Sequence, residues 1–163
     1  MSFEETAGRL WRRLPPEDRL LAATSFWQEP PPEVLGSALA ALVKARHMRP
    51  QAARALPAAT QAKVLASVLD PGEALAASLL VALHLGQRRP LLSAFLDALG
   101  LAHDGGILKD EGPAAPITEP AARTAVKALA ASHPPSQILA YLNTLWLQDP
   151  VRWEALRPSG DWL

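Results

Sequence analysis

The chain has 163 residues, 16 basic against 16 acidic, and no cysteine, so disulfide frameworks and thiolate metal sites are excluded and no net charge draws the whole molecule toward nucleic acid or anionic lipid. This length fits a single domain, 1–163, with one core. The opening MSFEETAGRLWRRL carries acids in place of an export signal, and the longest apolar run, Ala74 to Gly86, is too short for a bilayer and contains Ser78 and His84, so a soluble, cytoplasmic protein with no membrane partner is expected.

Ala and Leu dominate, β-branched residues are scarce, and no stretch alternates apolar with polar over a strand's length, which predicts an all-α fold. A first helix is expected from near Phe3, ending with Leu10, Trp11 and Leu14. Prolines then mark helix starts, because a first-turn residue needs no N–H and the fixed φ is already helical. Such starts fall at Pro15, Pro31, Pro71 and Pro134, with another at Glu119 ahead of Pro120. From Pro32 to about His47, Leu35, Ala38, Leu39, Leu42 and Val43 form one stripe of a 3.6-residue repeat. Shorter helices are expected over 51–56 and 57–69. The segment 73–85 is apolar nearly all round, as a central helix would be. Leu92, Phe95, Leu96 and Leu99 form the next stripe, and Ile138, Tyr141, Leu142, Leu145 and Trp146 another. Helices over 121–132 and 150–156 complete about eight to ten, expected to pack as consecutive antiparallel hairpins.

Two patterns run across these elements. Shifting Glu33–Leu56 by 40 residues matches it to Glu73–Leu96 at six of 24 positions, including an Arg-Pro corner at Arg49-Pro50 and Arg89-Pro90. That echo is either a partial internal duplication of a helical hairpin, as in helical-repeat proteins, or the chance agreement of two Leu/Ala helices. Charge is also segregated. Between Glu33 and Asp70 there is no acid, while Lys44, Arg46, Arg49, Arg54 and Lys63 supply five cations; from Asp97 to Glu119, five acids face only Lys109.

The acidic stretch contains the loop 101–119, LAHDGGILKDEGPAAPITE, the strongest interruption of helical pattern. It is not a phosphate loop, since GGILKDEG lacks the Lys-Ser/Thr end and a preceding strand. It is not a calcium loop either, because the third, fifth and twelfth positions from Asp104 are Gly106, Leu108 and Ala115. A structural role is expected instead: Gly100 closes the preceding helix in a left-handed conformation, Leu101 folds back, and Asp104-Gly105 makes a tight turn. The competing expectation is a binding site built from His103, Asp104 and Asp110, since long loops are often functional.

Elsewhere the chemistry is sparse. The four histidines, His47, His84, His103 and His133, lie in separate segments with no ligand spacing. No nucleophile elbow exists, and Ser132 beside His133 reads as a helix-end residue. No metal, no cofactor and no catalytic residue is expected. Arg49, Arg88 and Arg89 could track a phosphate backbone, but the stretch holds no aromatic to stack on bases, which argues against nucleic acid. Trp162, in the terminal PSGDWL, is expected to fold back onto its own domain or to insert into a partner. The leading expectation is a non-catalytic helical module that docks another protein, with a homodimer as a further option. Its rivals are a small-molecule or enzymatic site at His103 and Asp104, and a phosphate-binding helical repeat.

Overall fold

The computed structural model describes residues 4–109, 116–158 and 162–163. Among them the fold is all-α, with nine α-helices, one two-residue β-hairpin and a closing 3-10 turn. Two compact units divide the chain: Thr6–Gln87, and Arg88–Leu163 together with Glu4 and Glu5.

The first unit contains α1 (Ala7–Arg13), α2 (Pro16–Gln28), α3 (Pro32–Arg46), α4 (Pro50–Ala55), α5 (Ala58–Ser67) and α6 (Glu73–Gln87). Five of these, α2 to α6, begin within two residues of a proline, as first-turn chemistry favours. α2 packs on α5 and α6, α1 on α6, and α3 on α4, α5 and α6. Ala22, Ala23, Phe26, Leu65, Leu75 and Leu79 are among the side chains removed almost wholly from water. The α2–α6 crossing is close: a Cβ added to Gly86 would stand 2.7 Å from the Ser25 Cβ. α1 begins at Ala7 rather than near Phe3. Thr6 Oγ1 accepts from the Arg9 N–H, and the two Glu73 carboxylate oxygens of α6 accept from Ala7 and Gly8 N–H at 3.0 and 2.9 Å. A carboxylate at a helix N-terminus satisfies orphan donors and meets the positive end of the helix dipole.

Side chain to backbone bonds close the rest of this unit. Fully buried Trp11 donates its indole N–H to Val68 O at 2.8 Å. Arg19 donates to Ala66 O and Leu14 O, tying the α1–α2 corner to the end of α5. Gln61, itself buried, donates to Ala53 O and locks α5 to α4. For the buried Trp11 and Gln61 side chains, losing the partner would leave an unsatisfied polar group at a cost of about 1–3 kcal/mol.

The second unit contains α7 (Arg89–Ala98), the hairpin β1 (His103–Asp104) and β2 (Ile107–Leu108), α8 (Glu119–Ala130), α9 (Pro135–Gln148) and the 3-10 turn Glu154–Leu156. α7 packs on α8, and α8 on α9 and on the 3-10 turn. Its centre is aromatic. Phe95 meets Tyr141 edge to face, with ring centroids 5.6 Å apart, and meets Trp153 at 6.2 Å. The helix expected over 150–156 is shorter than its periodicity suggested. The Asp149 carboxylate accepts from Arg152 N–H and its carbonyl from Trp153 N–H, which turns the chain before the single 3-10 turn forms.

The two halves of the 40-residue echo share an order, a 15-residue helix followed by an Arg-Pro corner and a second helix. Their corners differ in build. The first passes through left-handed His47, with φ 51°; the second turns at Arg88, with φ −130°. The division between the compact units also falls inside the second half, at Gln87–Arg88.

Candidate functional site

Two regions gather the residues singled out in the sequence: the hairpin that follows α7, and the basic corner formed by α3, α4 and α5.

The hairpin is prepared by the end of α7. Gly100 adopts φ 69°, its N–H donates to Asp97 O, and the Leu101 N–H donates to Leu96 O, both at 3.0 Å. This is the Schellman arrangement, and it satisfies two orphan carbonyls while reversing the chain. His103 then pairs with Leu108 and Asp104 with Ile107. The connecting residues are Gly105 and Gly106, with φ 56° and 91°. Two consecutive positive φ values define a type I′ turn, which matches the twist of a two-residue hairpin. The turn is thus one residue beyond the expected Asp104-Gly105. Gly106 is buried against α7, where a Cβ would meet the Leu92 Cβ at 2.6 Å. Arg89, at the start of α7, donates from Nη1 to Gly105 O at 3.3 Å.

His103 is the polar centre of this region. Its Nε2 lies 2.6 Å from Asp97 Oδ1, and its Nδ1 accepts the Gly106 backbone N–H at 3.1 Å. The second bond requires a lone pair on Nδ1, so the proton resides on Nε2 and is donated to the carboxylate: the neutral Nε2–H tautomer. A carboxylate that orients an imidazole is half of a general-base arrangement. Here, however, the nitrogen that would accept a substrate proton is already occupied by the turn. The His103 side chain is 13% exposed and that of Asp97 71%, so the pair staples the hairpin to α7 with only its acidic edge in water. Asp104 is exposed, and Asp110 lies outside the described residues.

The arginines separate in the structure. Arg88 is buried at 6% exposure, which removes it from any surface row. Arg89 is exposed but bonded to the hairpin as described. Arg49 is exposed in the other unit at the N-cap of α4, so the two Arg-Pro corners are not equivalent. Trp162 meets α8: the Arg123 guanidinium, held at 2.9 Å by Glu119 of the same helix, sits 4.9 Å from the indole centroid. That cation–π contact lies within the second unit and fits the expected fold-back.

The basic corner has the opposite character. α3 ends at left-handed His47, whose N–H and that of Met48 both donate to Val43 O. Lys44 and Arg46 occupy the last turn, where the carbonyl end of the dipole favours cations. Arg49 follows at the start of α4, Arg54 at its end, and Lys63 on α5; all five cations are exposed, and among the described residues none has an ion pair or a side-chain hydrogen bond.

His103 and the five cations were legible in the sequence, whereas Asp97 and Gly106 were not legible as the partners of His103. The Asp97–His103 spacing of six residues matches neither helix nor strand periodicity, so only the reversal at Gly100 brings them together. Among the described residues no group of three or more His, Asp or Glu is placed to hold a metal ion, and no helix is long and apolar enough to cross a membrane. The chain matches no protein-family model, no curated protein and no solved structure.

Proposed function

We infer that this protein is a non-catalytic helical module that docks another protein, and that its docking face is the corner of α3, α4 and α5. One observation supports the reading: Lys44, Arg46, Arg49, Arg54 and Lys63 are exposed in a segment with no acid between Glu33 and Asp70, and none is engaged by a described residue. Beyond what Lys44 and Arg46 gain at the carbonyl end of α3, cations gathered on one segment repel one another, whereas a single-sign surface steers a complementary partner and rejects like-charged ones. Three of the five are arginines, the cation enriched at interface hot spots because its planar fork meets carboxylates two bonds at a time. The rival site at His103 and Asp104 has less support, since both imidazole nitrogens already serve the hairpin.

The test is affinity capture from the native host with the full chain and with the variant Lys44→Glu/Arg46→Glu/Arg49→Glu/Arg54→Glu. The reading predicts a stoichiometric protein retained by the native chain and lost by the variant, whose melting temperature falls only by the few degrees that reversed charges at the end of α3 cost. A partner held equally by both would place docking elsewhere on the molecule.

A further inference from the structure

We propose that the segment bound at this corner is a linear acidic peptide that carries a carboxylate at every second residue. The proposal rests on the docking reading above and names the chemistry of the occupant. Arg49 is the N-cap of α4 (Pro50–Ala55) and Arg54 its fifth residue, so about 7.5 Å of helix rise separates them at 1.5 Å per residue. In an extended chain every second side chain repeats after about 7 Å, and every third residue after about 10 Å. Carboxylates two residues apart on one face of an extended segment therefore match the axial separation of the two arginines. Lys44 and Arg46, on the last turn of α3, continue the cationic surface across the two-residue link to Arg49.

Apolar surface accompanies this charge. Met48, between the α3 and α4 cations, and Leu56, just after Arg54, are each half-buried and present part of their side chains to solvent.

Nucleic acid fits less well. The segment 34–69 contains no Phe, Trp or Tyr on which a base could stack, and the chain as a whole carries formal net charge +0, so a phosphate backbone meets neither a stacking platform nor a long-range field. The densest run of acids that a second copy would offer is 97–119, where Asp97 is already bonded to His103 and Glu119 to Arg123.

The experiment is fluorescence anisotropy on the full chain with three labelled probes: a twelve-residue peptide of alternating Glu and Leu, its Lys-for-Glu counterpart, and a twelve-nucleotide single-stranded DNA. Sedimentation of the protein alone in low salt is measured beside them. The expected result is saturable binding of the Glu-Leu peptide only, weakened at least about tenfold between low and physiological salt and again about tenfold by Arg49→Ser/Arg54→Ser. Three results overturn the proposal: no binding of the acidic peptide, binding that the double variant leaves unchanged, or DNA binding as tight as peptide binding. Concentration-dependent dimerisation abolished by the double variant would assign the corner to a second copy instead. The two readings fail separately. If the peptide does not bind but the captured host protein is still lost on charge reversal, docking at this corner stands and the linear acidic segment falls; if that protein is retained, the docking face itself is wrong.

Discussion

The hairpin and the basic corner read alike as strings of polar residues, yet the fold treats them in opposite ways. In the hairpin, His103, Asp97 and Arg89 are bonded to one another's elements, and Gly106 is seated against Leu92. At the corner, five cations extend into solvent with no described partner. A polar residue in an irregular loop is therefore weak testimony to function until its bonds are traced. Groups already bonded within the fold stabilise it; groups left exposed and uncompensated are the ones available to a ligand.

If that contrast is right, substitutions in the hairpin lower stability and those at the corner do not. The largest effect is expected from Gly106→Ala, which sets a Cβ 2.6 Å from the Leu92 Cβ at a φ of 91°. Strain and overpacking together should cost about 2–4 kcal/mol, read as a shifted denaturant midpoint. His103→Ala removes the Asp97 bond and orphans the Gly106 N–H, with an expected loss of about 1–3 kcal/mol. An unchanged midpoint would return His103 to the list of candidate ligand-binding groups.

The aromatic centre of the second unit sharpens the contrast with a pH test. Burial holds the Tyr141 hydroxyl well above its ordinary pKa, so ionisation favours the unfolded chain, where the group titrates near pH 10. The stabilisation is complete below about pH 10 and is lost as pH rises above it, by about 1.4 kcal/mol per unit, until the folded-state value is reached. Tyr141→Phe should flatten this alkaline slope in a series of denaturation curves; a slope that persists must come from other groups.

Smaller effects are expected at the corner. His47 is the one described non-glycine residue with positive φ, and His47→Gly should raise stability by up to about 1 kcal/mol by relieving the left-handed strain. Arg49→Ser and Arg54→Ser should each move it by less than about 0.5 kcal/mol. A large loss from either would mean that these arginines belong to the fold, and the two regions would no longer be opposites.

How much of this was legible beforehand follows from the range of the interactions. Proline-marked starts such as Pro16, Pro32 and Pro135, the stripe Leu35–Val43 and the left-handed closure at Gly100 depend on neighbours within a turn or two, and local pattern carried them. The start of α1 did not follow from local pattern, because the carboxylate that helps cap it comes from Glu73, 66 positions beyond Ala7. The two-residue strands were too short to alternate visibly, and their register depends on Gly105 and Gly106 both turning left-handed. The cations of the corner were visible as a run without acids, but their lack of partners is a property of the folded surface.

The most direct test of the central claim is to compare binding and melting in a single pair of samples, the native chain and Arg49→Ser/Arg54→Ser. The account predicts that the melting temperature stays within about 2–4 °C, the shift that 1 kcal/mol produces in a protein of this size, while affinity for the alternating Glu-Leu peptide falls at least about tenfold. A variant that melts far lower, or one that binds the peptide as tightly as the native chain does, would contradict it.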